Sequence, residues 1–309
     1  MSEPAGASTP RLICGWAAVA LSTFFAGFWA FWGSIETFHE GWYHRSIWMN
    51  LALTVVQYLS PMLLIMLPAV VSIRRPKLGA GMYVAVGTFV TWFFKLYDRP
   101  GVAAVLAAPV FAVALLYAFG RPEPRRWAFR IAVGVPLATA LVSGAYPGWL
   151  AVQRHDDGDY GLRIIEGNGV RLAWAPEGPG WPERPVTWGD AQNACEHLSR
   201  DGRRILESPQ GIWRLPTVEE AVRSSVRGGK NAGGTWDREH MRPSYRVQPN
   251  KDTPLWKRYS PAIYRWTSTP HHFGGAYRVT YNGYANGMPR QSRLYYRCVA
   301  DPAAVTGAD

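Results

Sequence analysis

The stretch GIWRLPTVEEAVRSSVRGG, residues 211–229, decides how the second half of the chain folds. Thr217 is typical of a helix N-cap, and Glu220, three residues later, can reach back to it, which makes a capping box. Apolar or small residues then recur at helical spacing, at Val218, Ala221, Val222, Ser225 and Val226. We expect the glycine pair Gly228 and Gly229 to end this helix.

The first half of the chain is hydrophobic enough to cross a membrane. Its apolar segments are 12–35, 47–73, 78–94, 102–120 and 131–150. Most match the ~17–25 residues that cross a hydrocarbon core. The first is too long and too rich in aromatic residues for a cleavable signal peptide, and further spans follow it. We therefore expect a membrane domain over 1–153, with about five transmembrane helices in the lipid bilayer, and a second domain over 154–309.

The formal charge of +11 does not indicate nucleic-acid binding. Residues 1–153 hold 11 Lys/Arg against 5 Asp/Glu, and residues 154–309 hold 22 against 17. Neither half has a dense basic run of the kind that contacts phosphates. No nucleic-acid partner is expected.

Positive residues of the first half cluster in the second and fourth connections between apolar segments. They are Arg74, Arg75 and Lys77, then Arg121, Arg125, Arg126 and Arg130. Because such loops stay in the cytoplasm, we expect a multi-pass protein of the cytoplasmic (inner) membrane with a cytoplasmic N-terminus. Five crossings place the C-terminal domain in the periplasmic or extracellular space. An even number of spans would reverse this orientation.

The three cysteines bear on the compartment. Cys14 lies in the first apolar segment, and Cys195 and Cys298 lie in the second half. Two cysteines in a domain that faces an oxidising compartment favour a disulfide, which would close a loop of roughly 100 residues. The alternative is two unpaired buried thiols.

The second half alternates short strands, turns and two helices. Asn168-Gly169 predicts a hairpin between two strands. Thr187 and Asp190 predict a second capping box, before a helix whose apolar face holds Ala191, Ala194, Cys195 and Leu198. Little regular structure is readable from 229 to 261, and a loop that long is either functional or loosely ordered.

Three strand candidates follow, AIYRWTSTP, AYRVTYNGYAN and RLYYRCVA, with turns expected at Asn282-Gly283 and Asn286-Gly287. Cys298 lies on the last strand. Two helices followed by a small antiparallel sheet indicate an α+β domain.

Five motifs occur in the order GVRLAW, PVTWGDAQNACEHL, WRLPTVEEAVRSSVRGG, YRWTSTP and YYRCVAD. This set resembles a C-type-lectin-like fold in two related families, the C-terminal domain of collagen-like bacterial adhesins and the formylglycine-generating (sulfatase-modifying) enzymes. The resemblance covers 169–301; the membrane half resembles no family. It implies that Arg214, Leu215 and Pro216 are scaffold and that the cysteine pair ties the first helix to the last strand.

The enzymatic alternative is a sulfatase-modifying activity at a non-standard site. The resemblance implies a pair of cysteines near the end of the domain that binds copper, and this chain keeps Gly274-Gly275 but has no cysteine between them and Cys298. The chain also carries Ala221 and Val222 where that family usually has Trp and Glu. The adhesin-like relative is favoured, and no catalytic residue is assigned.

Other polar residues suggest metal or acid–base chemistry only weakly. His271 and His272 are adjacent, so on a strand they would point to opposite faces. His240 follows Asp237 and Glu239, which gives a carboxylate–imidazole cluster or a solvated loop. Calcium is the ion that the loop oxygens would accept, without a diagnostic spacing, at Asn231, Asp237, Asn250 and Asp252.

The late strands combine aromatic rings with Arg and Asn, as binding surfaces do. Trp266, Tyr277 and Tyr296 are expected in the core. In the lectin-like fold the loops between late strands form the ligand face, which points to Tyr281, Asn282, Tyr284, Asn286, Arg290 and Arg293. The ligand could be a saccharide, a peptide or a membrane-protein partner.

The first span carries aromatic residues nearly all round, at Phe24, Phe25, Phe28, Trp29, Phe31 and Trp32. Such residues usually form the interfacial belt, and a pigment, quinone or partner helix is the alternative. Charges inside the spans are scarce, which argues against an ion or proton relay. The sequence thus predicts a membrane-anchored recognition protein with an extracytoplasmic, non-catalytic lectin-like domain.

Overall fold

The computed structural model describes residues 8–307, and about half of the chain is helical. The contacts divide the chain into two compact units. One comprises Met1–Trp42 and Ser46–Trp149, and the other Tyr43–Arg45 and Leu150–Asp309. They are called the helical unit and the C-terminal unit below.

Each of the five apolar segments is helical, and two of them are broken. The helices are α1 (Thr9–His39), α2 (Ile47–Leu53), α3 (Ser60–Arg74), α4 (Pro76–Phe93), α5 (Pro100–Leu106), α6 (Ala108–Phe119) and α7 (Arg125–Val152). A π-helical turn, Thr54–Tyr58, precedes the break between α2 and α3. A 3₁₀ turn, Leu96–Asp98, lies between α4 and α5.

The helical unit has two to four candidate membrane spans among the described residues. Helices α1 and α7 are each long and apolar enough to cross a membrane. The pairs α2–α3 and α5–α6 qualify only if each is one span, and they bend by 68° and 43°. Proline stands early in α3 and α6, where it leaves a backbone carbonyl without its helical partner. Helix α4, of 18 residues, does not pass the same test, so the structure supports membrane association without fixing five crossings.

Buried hydroxyl groups connect the helices of this unit. Tyr83 of α4 donates to the carbonyl of Ile65 in α3 at 2.6 Å, and the Tyr117 hydroxyl of α6 lies 3.0 Å from that of Ser22 in α1. The two tyrosine rings stack with centroids 5.8 Å apart. Interhelical hydrogen bonds of this kind hold apolar helices in one arrangement where burial from lipid gives little drive.

The C-terminal unit contains ten short strands and three short helices. The strands are β1 (Arg163–Gly167), β2 (Val170–Trp174), β3 (Val226–Arg227), β4 (Lys230–Asn231), β5 (Thr235–Asp237), β6 (Arg242–Ser244), β7 (Tyr264–Pro270), β8 (Ala276–Thr280), β9 (Ala285–Met288) and β10 (Val299–Ala300). The helices are α8 (Trp188–Glu196), α9 (Val218–Ser224) and α10 (Pro302–Thr306). Two three-stranded sheets, β1-β2-β10 and β7-β8-β9, and two small hairpins, β3-β4 and β5-β6, are antiparallel. The structure thus has separate small sheets with helices, in agreement with an α+β unit.

The segment that precedes α9 joins the two larger sheets. The backbone of Arg214 exchanges hydrogen bonds with Val299 of β10, at 2.9 and 2.8 Å. The carbonyl of Pro216 accepts from the amide of Ser268 in β7, and Leu215 between them is 1% exposed. Residues 214–216 are scaffold, as expected, because their main chain connects β10 to β7.

Helix α9 begins as predicted and ends earlier. Thr217 and Glu220 form the complete capping box, and the helix stops at Ser224. Gly228 and Gly229, both at positive φ, form the turn of the β3–β4 hairpin instead of ending the helix. A hairpin turn can need positive φ at two successive residues, which glycine tolerates. The glycine pair alone therefore does not distinguish a helix end from a hairpin turn.

Helix α8 carries Cys195 on its buried face, as the sequence predicts. Ala191, Cys195 and Leu198 are all inaccessible to solvent, and Cys195 is bonded to Cys298 with Sγ atoms 2.05 Å apart. The second capping box is incomplete. Thr187 accepts from the amide of Asp190, but the shorter Asp190 side chain bonds the Thr187 hydroxyl and not its backbone N–H.

Of the three Asn-Gly hairpin predictions, two are confirmed. Asn168 and Gly169, at φ 54° and 80°, form the β1–β2 turn, and Asn282-Gly283 lies between β8 and β9. Asn286-Gly287 is not a turn: both residues lie within β9 opposite β8. Gly287 is required there because an added Cβ would stand 2.4 Å from the His271 ring.

We expect the disulfide to stabilise the C-terminal unit strongly. It joins residues 103 positions apart, and a cross-link of that length is worth about 2–5 kcal/mol. Replacing Cys195 and Cys298 together by Ala should lower the free energy of unfolding of the full-length protein by that amount. Cys14→Ala, in the helical unit, is the control; equal effects of the two changes, or an unfolding transition insensitive to both, would contradict the expectation.

The capping box predicts a pH dependence. Burial raises the pKa of the Glu220 carboxyl, but the Arg214 guanidinium and the Thr217 N–H lower it more, so the pKa lies below its ordinary value. The stabilisation is present above the unfolded pKa of about 4.3 and is lost as pH falls through the lower folded pKa. Glu220→Gln should cost about 1 kcal/mol at pH 7, and this cost should shrink as pH falls below the unfolded pKa, measured by thermal unfolding. The exposed Glu207→Gln should show no such difference.

Candidate functional site

The six residues of the predicted ligand face do not form one surface. Tyr281 is 6% exposed, and its ring packs edge-on against Trp256, with centroids 6.3 Å apart, in a core cluster with Leu255 and Ile263. It is therefore a core residue, although the sequence placed it on the ligand face. The aromatic pattern alone could not separate it from Tyr284, three residues later, which is 65% exposed.

The remaining residues are spread along the β7-β8-β9 sheet. Asn282 and Tyr284 belong to the β8–β9 turn. Asn286 is in mid-strand, where its side chain accepts from the Nε of Arg278. Arg290 lies at the other end, where its Nε reaches the carbonyl of Gly275 at 3.4 Å. Arg293 is exposed beyond it.

The β7–β8 turn carries a compact aromatic cluster. The rings of His271 and His272 stack with centroids 4.1 Å apart, and Phe273 packs 4.0 Å from His272. The two histidines do not point to opposite faces, because the chain leaves the strand at Pro270. Phe273 is 84% exposed, the highest value among the exposed large hydrophobic residues.

Arg290 lies beside the same turn, where its Nε reaches the Gly275 carbonyl. Its Cζ lies 4.4 Å from the centre of the Trp188 ring at the start of α8, and the amide of Trp188 donates to the carbonyl of Arg290. The Trp188 indole N–H in turn donates to the carbonyl of Thr267 in β7. The His-Phe surface, defined as His271, His272, Phe273 and Arg290, is therefore attached to both α8 and β7.

Electrostatics favour the neutral form of His271. Partial burial, and then the neighbouring imidazole of His272, lower the pKa of His271 below its ordinary value. A neutral imidazole stacks on apolar groups and offers one donor and one acceptor. The surface thus combines an exposed phenyl ring, two imidazoles and one guanidinium.

The β7–β8 turn is held by its own backbone. The amide of His271 donates to the carbonyl of Gly275 at 3.0 Å, and Gly274 donates back to His271 at 3.1 Å. Gly274 adopts φ 79°, and an added Cβ on Gly275 would stand 2.3 Å from the carbonyl oxygen of Met288. The turn thus explains why residues 274 and 275 are glycines. The neighbouring Phe273 was not among the residues of the predicted ligand face.

The thiol chemistry of the enzymatic alternative has no thiol available in the C-terminal unit. The chain has three cysteines, of which Cys195 and Cys298 form the disulfide and Cys14 lies in α1. Copper coordination by a cysteine pair needs free thiolates. The residues present in this unit therefore do not fit such a copper site.

The oxygens proposed for calcium are used by the protein itself. Asp252 is fully buried and accepts from the amides of His155 and Gly228, at 2.9 and 2.8 Å. Asn250 and Asn231 likewise bond backbone amides and carbonyls. These contacts organise the loop and do not bring the four residues together around one point.

Two smaller clusters of ligand atoms are present. Asp237 accepts from the imidazole of His240 at 2.8 Å on an exposed turn, and the hydrogen bonds from His240 lower the pKa of Asp237. Glu36, His39 and Glu40, at the end of α1, are the one group of three His, Cys, Asp or Glu residues within metal-binding reach among residues 8–307. Exposed acidic groups of this kind are common without a metal, and neither cluster defines a site.

Buried cations form a second cluster, inside the C-terminal unit. Arg297 is fully buried; its Cζ lies 3.5 Å from the centre of the Trp181 ring, and its Nε donates to the carbonyl of Ala175 at 2.8 Å. Arg265, 4% exposed, lies 4.0 Å from the Trp256 ring and 5.3 Å from Trp181. Indole faces and carbonyl oxygens surround both guanidinium groups.

Lys257 is a third cation near the Trp181 ring. Its Nζ lies 4.9 Å from the ring and 2.6 Å from a carboxylate oxygen of Glu177, with Glu183 at 3.3 Å. Lys251, 1% exposed, donates to the carbonyl of Ser260, and burial, followed by repulsion from Arg154 and Arg265, lowers its pKa well below the ordinary value. This cluster was not predicted from the sequence, because charged residues in a long stretch without regular structure are typical of a solvated loop.

The helical unit contains an apolar cavity of about 690 Å³, within the range of small-molecule sites. Seven aromatic residues line it, among them Phe24, Phe25, Phe28 and Trp29 of α1, and Gln57 and Ser60 are polar lining residues. Phe31 and Trp32 are 46% and 52% exposed, as lipid-facing or interfacial residues would be. Phe24 and Phe28 of the cavity lining are themselves 65% and 50% exposed, so the cavity opens onto the outer face of the helical unit.

Comparisons with known proteins add no identification: no family model, curated protein or solved structure matches this chain. The resemblance to C-type-lectin-like families stays a prediction from the five sequence motifs. Function is therefore argued from the residues and geometry described above.

Trp181 should be a main determinant of stability, because its ring faces Arg297, Arg265 and Lys257. Trp181→Ala should lower the free energy of unfolding by about 3–5 kcal/mol. Trp181→Phe keeps an aromatic face for the cations and should lose less than half of that. If Trp181→Leu, which has no aromatic face, loses no more than Trp181→Phe in denaturant titrations, volume and not the cation–π contact is what matters.

Proposed function

We propose that this chain is a multi-pass protein of a bacterial cytoplasmic membrane that presents its C-terminal unit outside the cytoplasm as a recognition module. The module is lectin-like and non-catalytic, and it contacts its ligand through the His-Phe surface. The observation that carries this proposal is Phe273, 84% exposed at the tip of a turn whose backbone is fixed by hydrogen bonds.

The composition of the His-Phe surface favours binding. Phe273 offers apolar area at little further entropic cost, because the turn is already ordered. Arg290 offers a guanidinium that is oriented by the Trp188 ring. Rigid aromatic and Arg side chains of this kind are the usual hot spots of interfaces. The matching ligand has an apolar face next to a carbonyl or anionic group, as envelope saccharides, peptides and membrane-protein partners can have.

Two features support placement outside the cytoplasm. The Cys195–Cys298 disulfide is of a kind that persists in oxidising compartments. The connections between α3 and α4 and between α6 and α7 carry the excess of Lys and Arg that cytoplasmic loops have. With α4 counted as a crossing, α1 to α7 make five spans and leave residue 154 onward on the far side.

The order of elements favours the lectin-like assignment. A hairpin, a first helix, a second helix after residues 213–217 and late antiparallel strands follow one another, and a disulfide joins the first helix to the end of the domain. This order agrees with the five motifs. Fold alone does not define a ligand, so the proposal rests on the surface and not on the fold.

The test is a binding measurement on the full-length protein. Purified protein is screened against an array of bacterial envelope glycans and peptides, and the strongest ligand is titrated on right-side-out and inverted membrane vesicles. We expect saturable binding to right-side-out vesicles, without chemical change of the ligand. Phe273→Ala and Arg290→Ala should each weaken the affinity at least tenfold, because removal of a hot-spot residue costs about 1–2 kcal/mol or more.

Tyr284→Ala is the matched control, since Tyr284 is also an exposed aromatic residue but lies at the opposite end of β8. Its affinity should equal that of the unmodified protein. An equal loss in all three variants would refute the His-Phe surface. Binding confined to inverted vesicles would refute the orientation, and turnover of the ligand would refute the non-catalytic assignment.

A further inference from the structure

A small cavity lies inside the C-terminal unit, next to the buried cations. Its volume is about 20 Å³, enough for one water-sized particle. Arg265, Arg297 and Trp174 line it, together with apolar groups such as Leu255 and Trp266. The two guanidinium groups and the indole are each at most 4% exposed.

Each of these three side chains has an N–H group without an acceptor. Arg265 bonds the carbonyl of Leu255 through Nη1, and its Nε is unpaired. Arg297 bonds Ala175 and Pro254 through Nε and Nη1, and its Nη2 is unpaired. The Nε1 of Trp174 is unpaired as well. Buried donors almost always have a partner, so three in the lining of one cavity require an explanation.

The cavity is also electrostatically unbalanced. Guanidinium groups stay protonated in proteins, so Arg265 and Arg297 contribute two positive charges. Neither forms an ion pair with a carboxylate in the part of the chain that the structure describes. Asp159 is the acid whose attraction acts on Arg297, and it is an exposed residue. Burying a charge without a partner is costly.

We infer that this cavity binds a monatomic anion of the halide class between Arg265 and Arg297, with the Trp174 indole as a third donor. A halide accepts hydrogen bonds from all three donors and supplies the missing negative charge. A water molecule supplies no charge and, with two lone pairs, cannot accept from three donors. The space for one water-sized particle favours a monatomic ion over carboxylate, phosphate or sulfate. The site is independent of the His-Phe surface and of its ligand.

The test uses full-length protein purified without halide and measures its thermal unfolding midpoint. Chloride and bromide are titrated against gluconate at constant ionic strength. A ligand that binds only the folded state stabilises that state. The midpoint should therefore rise once the halide concentration exceeds the dissociation constant of the site. A crystal grown in bromide should show one anomalous peak between Arg265 and Arg297.

Two tryptophan variants separate this site from general salt effects. Trp174→Phe removes the unpaired indole N–H and keeps most of the ring, so the halide concentration needed for a given rise of the midpoint should increase roughly tenfold. Trp188→Phe removes an indole N–H that bonds the Thr267 carbonyl, outside the cavity, and should leave the halide dependence unchanged.

Equal midpoints in chloride and gluconate, together with no bromide peak in the cavity, would overturn the inference. A bromide peak elsewhere with the cavity holding water would overturn it too. If Trp174→Phe fails to fold, the halide titration and the bromide peak of the unmodified protein still decide.

Discussion

The C-terminal unit depends on one constraint. The guanidinium group of Arg297 is buried without a carboxylate partner among residues 8–307. This guanidinium binds the carbonyls of Ala175, after β2, and Pro254, in the long loop, while its face covers Trp181. Three distant segments must therefore meet around one side chain. The next residue is Cys298, whose bond to α8 holds this meeting point from the other side. The cost of burying the charge is offset by these contacts only when all of them form, which makes the arrangement specific as well as stable.

The same constraint explains why the loop from 250 to 260 is buried. Its carbonyls at Pro254, Leu255 and Ser260 accept from Arg297, Arg265 and Lys251, respectively. These main-chain oxygens accept hydrogen bonds from the buried cations, as carboxylates do in most buried ion pairs, but they add no negative charge. A segment that would otherwise be a mobile surface loop becomes part of the core.

Local features of the fold were predictable from the sequence, and features that depend on distant partners were not. The Asn168-Gly169 turn and the Thr217–Glu220 box follow from residues a few positions apart, and the Cys195–Cys298 pair from the count of cysteines. Trp266, Tyr277 and Tyr296 were placed correctly in the core, at 0%, 2% and 4% exposure. Tyr281, in contrast, is buried although the sequence placed it on the ligand face, because its ring packs against Trp256, 25 positions earlier in the long loop. Lys251 and Lys257 have the sequence context of surface residues, since no local pattern indicates the carbonyls and rings that they contact.

The β7–β8 turn has a consequence for how this chain can diversify. Its conformation is set by backbone hydrogen bonds and two glycines, while the rings of His272 and Phe273 pack against each other and against His271 at the tip of the turn. Natural selection can therefore replace these side chains without disturbing the interior. Related sequences would then share the framework and differ at the tip, so that one scaffold acquires new specificities through a few codons.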